Sequence, residues 1–280
     1  MSFKWARLGV GVGLRTEHYP HITSQWPEVD WFEAITENYL DTEGRPLHIL
    51  QSIKSHYPVA LHGVSLSIGS SDPLDSQYLQ QLQKLTKKID PVFISDHLCW
   101  SSIDGENLHD LLPLPFTKEV VDHVAGRVQK IQDLLERPIM LENVSSYITY
   151  QHSTMTEWQF LSEVTEQSDC GILLDVNNIY VNSINHDFDP KKYIDGLPLE
   201  RIGQIHLGGH TDMGEFLFDT HSKPVHQAVW TLYEYVLGKI GSISTLIEWD
   251  ADIPTFDQLM KEVVKAKEIM GHINKGKVVG

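Results

Sequence analysis

Residues 170–177 read CGILLDVN, and the architecture of the chain follows from this run. Ile172, Leu173 and Leu174 form an unbroken apolar stretch that stops at Asp175, with Asn177 and Asn178 behind it. A strand apolar on both faces belongs in a parallel sheet covered by helices. Seven further runs of the same kind occur: RLGVGVGL (7–14), WFEAITEN (31–38), VALHGVSL (59–66), VFISDHLC (92–99), PIMLENVS (138–145), IGQIHLGG (202–209) and STLIEWD (244–250). Their starts lie 24, 28, 33, 46, 32, 32 and 42 residues apart, about the size of one strand-helix unit.

The segments between them carry helical spacing. Residues 74–90 repeat leucine at Leu79, Leu82 and Leu85, and residues 118–137 align Val120, Val121, Val124, Val128, Ile131, Leu134 and Leu135 on one stripe. Residues 155–167 and 225–240 behave similarly, and a last helix is expected after Asp252 and Pro254, running to about Met270. Eight alternations predict a single α/β domain over residues 1–280, a TIM (β/α)8 barrel, in preference to an open doubly wound sheet. Gly9, Gly11 and Gly13 alternate inside the first run, which is not the loop pattern of a dinucleotide site.

Composition narrows the function classes. With 22 basic and 38 acidic residues the net charge is −16, which opposes nucleic acid or an anionic membrane as the main partner. No stretch approaches the ~20 apolar residues of a membrane helix. Nothing at the start reads as a signal peptide, and two cysteines, Cys99 and Cys170, fit a reducing compartment; a cytoplasmic location is expected.

Barrel chemistry sits at the carboxyl ends of the strands. Run by run, those ends offer Glu37, His62, Asp96 with His97, Glu142 with Asn143, Asp175, His206 with His210 beyond it, and Glu248 with Asp250; the segment after the seventh run adds Asp219 and His221. A single buried histidine is more often a packing residue than a ligand. Carboxylates that end apolar strands are harder to place, because burying the charge is costly unless a cation accompanies it. Arg15 is the one basic residue near a strand end, so Glu142, Asp175, Asp219 and Glu248 point to metal. Five histidines (62, 97, 206, 210, 221) and four carboxylates exceed the ligand capacity of one ion, about six, so two or three ions sharing a carboxylate are expected. Imidazole and carboxylate without thiolate suit iron or manganese, or a catalytic zinc cluster. Cys99 reads as a structural cysteine. Asn143, Ser145, Asn177 and Tyr180 read as supports, with Asn178 the best of that group for direct contact. His18, His21, His48, His56, His109, His123, His152, His186, His226 and His272 read as surface or packing residues.

The motifs LHGVSLSIG (61–69), SDHLCW (95–100), DLLPLP (110–115), ENVSSY (142–147), LLDVNNIYVN (173–182), IHLGGH (205–210), DTHSKP (219–224) and EWD (248–250) together resemble domain-of-unknown-function family 692, the UPF0276 type. That family includes the iron oxygenase of methanobactin biosynthesis and a related enzyme of thiaglutamate biosynthesis. The resemblance implies a barrel of the xylose isomerase type with two or three irons. It implies that Glu142, Asp175, His206 and Glu248 hold one ion and that His62, His97 and Glu142 hold a second. Asp219 and His221, with Asn178 or His210, would serve a labile third, and Asp219 and His221 would be the catalytic pair. It further implies dioxygen-dependent oxidation of a cysteine in a ribosomally made precursor peptide, presented by a separate partner protein. Two other classes stand beside this one: a divalent-metal sugar isomerase or hydrolase, and a non-catalytic metal-binding or scaffold protein. The convergence of so many costly groups disfavours the last.

Overall fold

The structure, a computed structural model, describes residues 5–278, with side chains to residue 274. The strands are β1 (Val10–Gly13), β2 (Phe32–Ile35), β3 (Val59–Gly63), β4 (Ile94–His97), β5 (Trp100–Ile103), β6 (Glu106–Leu112), β7 (Met140–Glu142), β8 (Gly171–Asp175), β9 (Ile202–Leu207), β10 (Thr211–Asp212), β11 (Leu217–Phe218) and β12 (Ser244–Ile247). Eight of them close a parallel barrel in the order β1-β12-β9-β8-β7-β4-β3-β2. Every one of the eight apolar runs supplies a barrel strand. The two long steps between runs are accounted for by antiparallel hairpins, β5–β6 and β10–β11, at the mouth.

The helices are α1 (Tyr19–Gln25), α2 (Arg45–Lys54), α3 (Ser76–Ile89), α4 (Lys118–Leu135), α5 (Glu157–Ser168), α6 (Val176–Asn185), α7 (Pro190–Asp195), α8 (Gln227–Ile240) and α9 (Phe256–Val278). Local caps start several of them. Asp75 accepts the Gln77 and Tyr78 amides, and Thr156 with Gln159 forms a reciprocal capping box. The final helix runs past Met270, and α1, α2, α6 and α7 were not evident from periodicity. In α6 the reason is composition, since VNNIYVNSIN is rich in β-branched and asparagine residues of low helix propensity. What starts that helix is Asp175, whose side chain caps it by accepting the Asn178 amide.

Strand alternation divides the side chains between two cores. Outward residues such as Leu61, Ile94, Leu141, Leu174 and Ile205 join the large core under the helices. Inward residues Trp31, Ala60, Phe93, Met140, Leu173 and Leu246 form a separate apolar floor inside the barrel. Gly171 is required there, because a Cβ would collide with the Trp5 ring and Met140. One inward step above this floor each barrel strand from β2 onward carries a polar group. Glu33, His62, Ser95, Glu142, Gln204 and the residues beyond them turn toward the mouth.

Candidate metal centre

Register places the ligand candidates side by side. His97 is opposite Glu142 across β4–β7, and Asp175 is opposite His206 across β8–β9. Parallel strands deliver both pairs to the same rim. Among the described residues four groups of ligand atoms, each within 4.8 Å of one another, result: His62, His97 and Glu142; Glu142, Asp175, His206 and Glu248; His62, His206 and Glu248; and His221, Glu248 and Asp250. Glu142 and Glu248 belong to more than one group.

The rings are aimed by their outer nitrogens. His97 Nδ1 donates to the Gly63 carbonyl (3.0 Å) and His62 Nδ1 meets the Ser95 hydroxyl (2.8 Å). Both Nε2 atoms then face Glu142 Oε2, at 3.1 Å from His62 and 3.4 Å from His97. His206 presents Nδ1 to Glu248 Oε2 at 2.9 Å. His221 presents Nε2 to Asp219 Oδ1 at 3.1 Å and lies 3.6 Å from Asp175 Oδ2. Its Nδ1 faces Asp250 Oδ2 (3.3 Å), and Asp250 is in turn bound by Arg15, whose Nε donates to the Trp249 carbonyl (2.9 Å). His221 also holds a left-handed backbone, φ 41°. Gly208 makes room for its ring, since a Cβ there would collide with the imidazole.

The buried atoms His62 Nε2, Glu142 Oε2, Asp175 Oδ2, Asn178 Oδ1, His206 Nδ1 and His221 Nε2 have no hydrogen-bond partner. His62 Nε2 meets Glu142 Oε2 at 3.1 Å and His221 Nε2 lies 3.6 Å from Asp175 Oδ2, without a hydrogen bond in either case. Orphaned acceptors in a dry interior are costly, and converging lone pairs are what a cation resolves. The donor set therefore fits a metal. No thiolate joins it, because Cys99 and Cys170 are buried and belong to none of the groups.

The electrostatics agree. Burial pushes the Asp175 carboxyl well above the usual carboxylate range, with Glu142, Asp219 and Glu248 adding to the rise and His221 opposing it. His206 is also driven up: burial opposes its charge, but Glu248, Glu33 and Glu142 outweigh that. Without a cation, protons must make up the missing positive charge. Binding metal releases them.

Three residues expected as ligands sit differently: Asp219 falls in none of the four groups, although its Oδ1 lies 3.1 Å from His221 Nε2. His210 falls in none of the four groups; its Nδ1 meets Asn177 Oδ1 at 2.8 Å, and Asn177 Nδ2 holds Asp219 (2.9 Å). Asn178 directs Nδ2 to the Asn143 carbonyl (3.1 Å), leaving Oδ1 unpaired at the site. Asn143 pairs with both backbone groups of Asp175, and Asn177 bridges Asp219 and His210. Glu33 and Asp250 were not foreseen as partners. The second strand ends at Ile35 rather than at Glu37, and Glu33 is the inward residue, at 2.9 Å from His206 Nε2. Its signal was period two: an acid between Phe32 and Ala34, both turned outward. Among the packing histidines, His226 proves to cap α8 and His18 packs on Phe256.

Above the cluster opens a cavity of about 230 Å³ lined by His62, His97, Asn178, Asp219, His221 and Asp250. It holds a few waters or one small side chain. A larger hollow of about 670 Å³ lies at the opposite end of the barrel, among Trp5, Ile202 and Ile243, and has no cluster of buried ligands. Chemistry, not size, identifies the site.

The family described as RiPP precursor modification enzyme MbnB/TglH/ChrH matches residues 9–271, where RiPP denotes a ribosomally synthesised, post-translationally modified peptide. A UPF0276 protein of Anaeromyxobacter sp. is 52% identical over 269 residues, covering 96% of this chain and 95% of its own. One of Acaryochloris marina is 50% identical over 258 residues, covering 92% and 93%. Among solved structures, endonuclease IV of Thermus thermophilus superposes with a TM-score of 0.63 at 11% identity, covering 95% of this chain and 100% of that one. D-psicose 3-epimerase of Clostridium cellulolyticum gives 0.61 at 12%, covering 95% and 99%. These two show the fold alone.

Proposed function

Because the chain belongs to the family of RiPP precursor modification enzymes, we propose that it is a multinuclear non-haem iron enzyme that oxidises a cysteine of a precursor peptide with dioxygen. The observation that carries this is the sharing of Glu142 and Glu248 among overlapping ligand groups directly beneath a cavity of side-chain size. His62, His97 and Glu142 would hold one ion, and Glu142, Asp175, His206 and Glu248 a second. Asp219 and His221, with the free Oδ1 of Asn178, would hold a labile third, and these two are the proposed catalytic pair. Iron bound there supplies redox capacity and an exchangeable position for a small ligand.

The protein's own residues do the remaining work. Asp250, anchored by Arg15, holds the His221 ring so that Nε2 faces the cavity. Asn177 holds the Asp219 carboxylate toward the same point. The narrow cavity admits one side chain of the peptide and leaves the rest of it at the mouth, where Tyr147, Phe216 and Phe218 cluster. A separate partner protein that presents the peptide, and a cytoplasmic setting, belong to this proposal. Among the described residues, no helix is long and apolar enough to cross a membrane.

The test is dioxygen consumption by the reduced iron protein, given a cysteine-bearing precursor peptide and a peptide-presenting partner protein. Uptake that requires the cysteine and fails with a Cys-to-Ser peptide supports the reading. Interconversion of a sugar without dioxygen uptake, or activity with zinc or manganese alone, replaces it with the isomerase or hydrolase alternative.

A further inference from the structure

Beneath the metal-facing groups lies a second polar pair, Glu33 on β2 and Gln204 on β9, exposed by only 3% and 0%. An unpaired carboxylate next to the apolar floor of the barrel is costly, and an apolar residue would fill that place at no such penalty. Glu33 is held on both oxygens. Oε2 accepts from Gln204 Nε2 at 2.6 Å, and Oε1 lies 2.9 Å from His206 Nε2. On the other edge of the same ring, Nδ1 faces Glu248 Oε2 at 2.9 Å and Glu142 Oε1 at 3.6 Å, with no hydrogen bond.

A neutral imidazole has one proton and one lone pair. Whichever nitrogen carries the proton is unable to bind a cation. We propose that Glu33 is a positioning residue for the metal centre: by accepting the Nε2 proton of His206 it fixes the tautomer whose Nδ1 lone pair faces the cation, and strengthens that nitrogen as a donor. The arrangement is a carboxylate–histidine–metal relay built across the barrel interior from β2 to β9. A competitor is present. Gln204 Nε2 lies 2.8 Å from His206 Nε2, and an amide nitrogen can only donate. Were it the ring's partner, the proton would sit on Nδ1 and His206 could not be a ligand.

The inference rests on the proposed function only in requiring a bound divalent cation, so two measurements separate them. Affinity for Fe(II) is read by chelator competition on wild type and Glu33→Gln, with circular dichroism of both apo proteins as the control for folding. Loss of about 10- to 100-fold in affinity, at unchanged apo structure, is expected. Nitrogen-15 NMR of the wild type loaded with diamagnetic Zn(II) reads the tautomer directly, and the proton is expected on Nε2 of His206. Unchanged affinity in Glu33→Gln, or a proton on Nδ1, overturns the inference while leaving the iron-enzyme reading intact. If Glu33→Gln does not fold, the wild-type NMR result decides alone. A wild type that binds neither metal removes both readings.

Discussion

His62 Nε2 and Glu142 Oε2 lie 3.1 Å apart in the barrel interior, yet neither has a hydrogen-bond partner. The other nitrogen of the ring is occupied by Ser95, so the ring cannot turn to relieve the contact without losing that bond. A ring nitrogen and a carboxylate oxygen held together in this way without a hydrogen bond destabilise the fold unless a cation or a shared proton stands between them.

Substituting the shared carboxylate therefore does more damage than substituting a terminal imidazole. Glu142→Ala is expected to lose at least two ions per chain and His62→Ala about one, because a carboxylate can offer one oxygen to each of two ions and screen them from each other, whereas His62 has only Nε2 to offer, its Nδ1 being taken by Ser95. Metal analysis of iron-loaded protein after desalting measures this. Equal losses would make Glu142 a terminal ligand.

The third position depends on His221, which lies in the loop between β11 and α8 rather than on a barrel strand. His221→Ala should fold, retain the ions held by Glu142, and consume no dioxygen. Gly208→Ala offers a second route to the same outcome, since its new Cβ would displace the His221 ring. If Gly208→Ala keeps full turnover, the ring is not needed where the structure places it.

Metal should dominate thermal stability. A ligand that binds only the folded state at a thousandfold excess over its Kd stabilises by about 4 kcal/mol, or roughly 10 °C in a chain of this size. Removing metal with a chelator should lower Tm by about that amount. Glu248→Ala should lower the Tm of loaded protein more than that of apo protein, because the apo protein loses only the contacts of the carboxylate with His206 and His221, whereas the loaded protein loses its hold on the cation as well. Differential scanning calorimetry of all four samples checks both statements; a larger loss in the apo protein would contradict the second.

Away from the metal, Glu157 gives a pH dependence with a defined sign. Burial pushes its carboxyl from the ordinary value of 4.5 up to about 7, against hydrogen bonds from Tyr193 and Asn182. Between these values the folded state binds more protons than the unfolded one. This contribution is present below pH 4.5, declines as pH rises, and is gone above about 7. Glu157→Gln should flatten stability across that window and raise it at pH 8, read as urea midpoints. A variant that matches wild type at every pH would show that the carboxyl titrates normally.

The barrel was legible in the sequence because its determinants are local. Apolar runs such as CGILLDVN stop at a polar residue, amphipathic stretches follow, and parallel strands must send all such ends to one rim. The same logic marked His62, His97, Glu142, Asp175, His206 and Glu248, each standing at the end of an apolar run. α6 stayed hidden because its residues are poor helix formers and its start is a cap made by Asp175. The β5–β6 and β10–β11 hairpins were hidden for different reasons: β10 and β11 have two residues each, and the seven-residue β6 is exposed and polar rather than apolar.

The sequence by itself thus determined the eight-unit barrel and the residue types gathered at its mouth. Tertiary structure alone decided which of those residues meet: that Glu142 is shared, that Asp250 backs His221, that His210 reaches Asn177 instead of the cluster, and that Glu33 lies behind His206. The physical reason is that ligand sharing depends on barrel register and on which edge of each ring is bound. Both are fixed by contacts between residues far apart in the chain, such as Glu33 with Gln204, which no local pattern records.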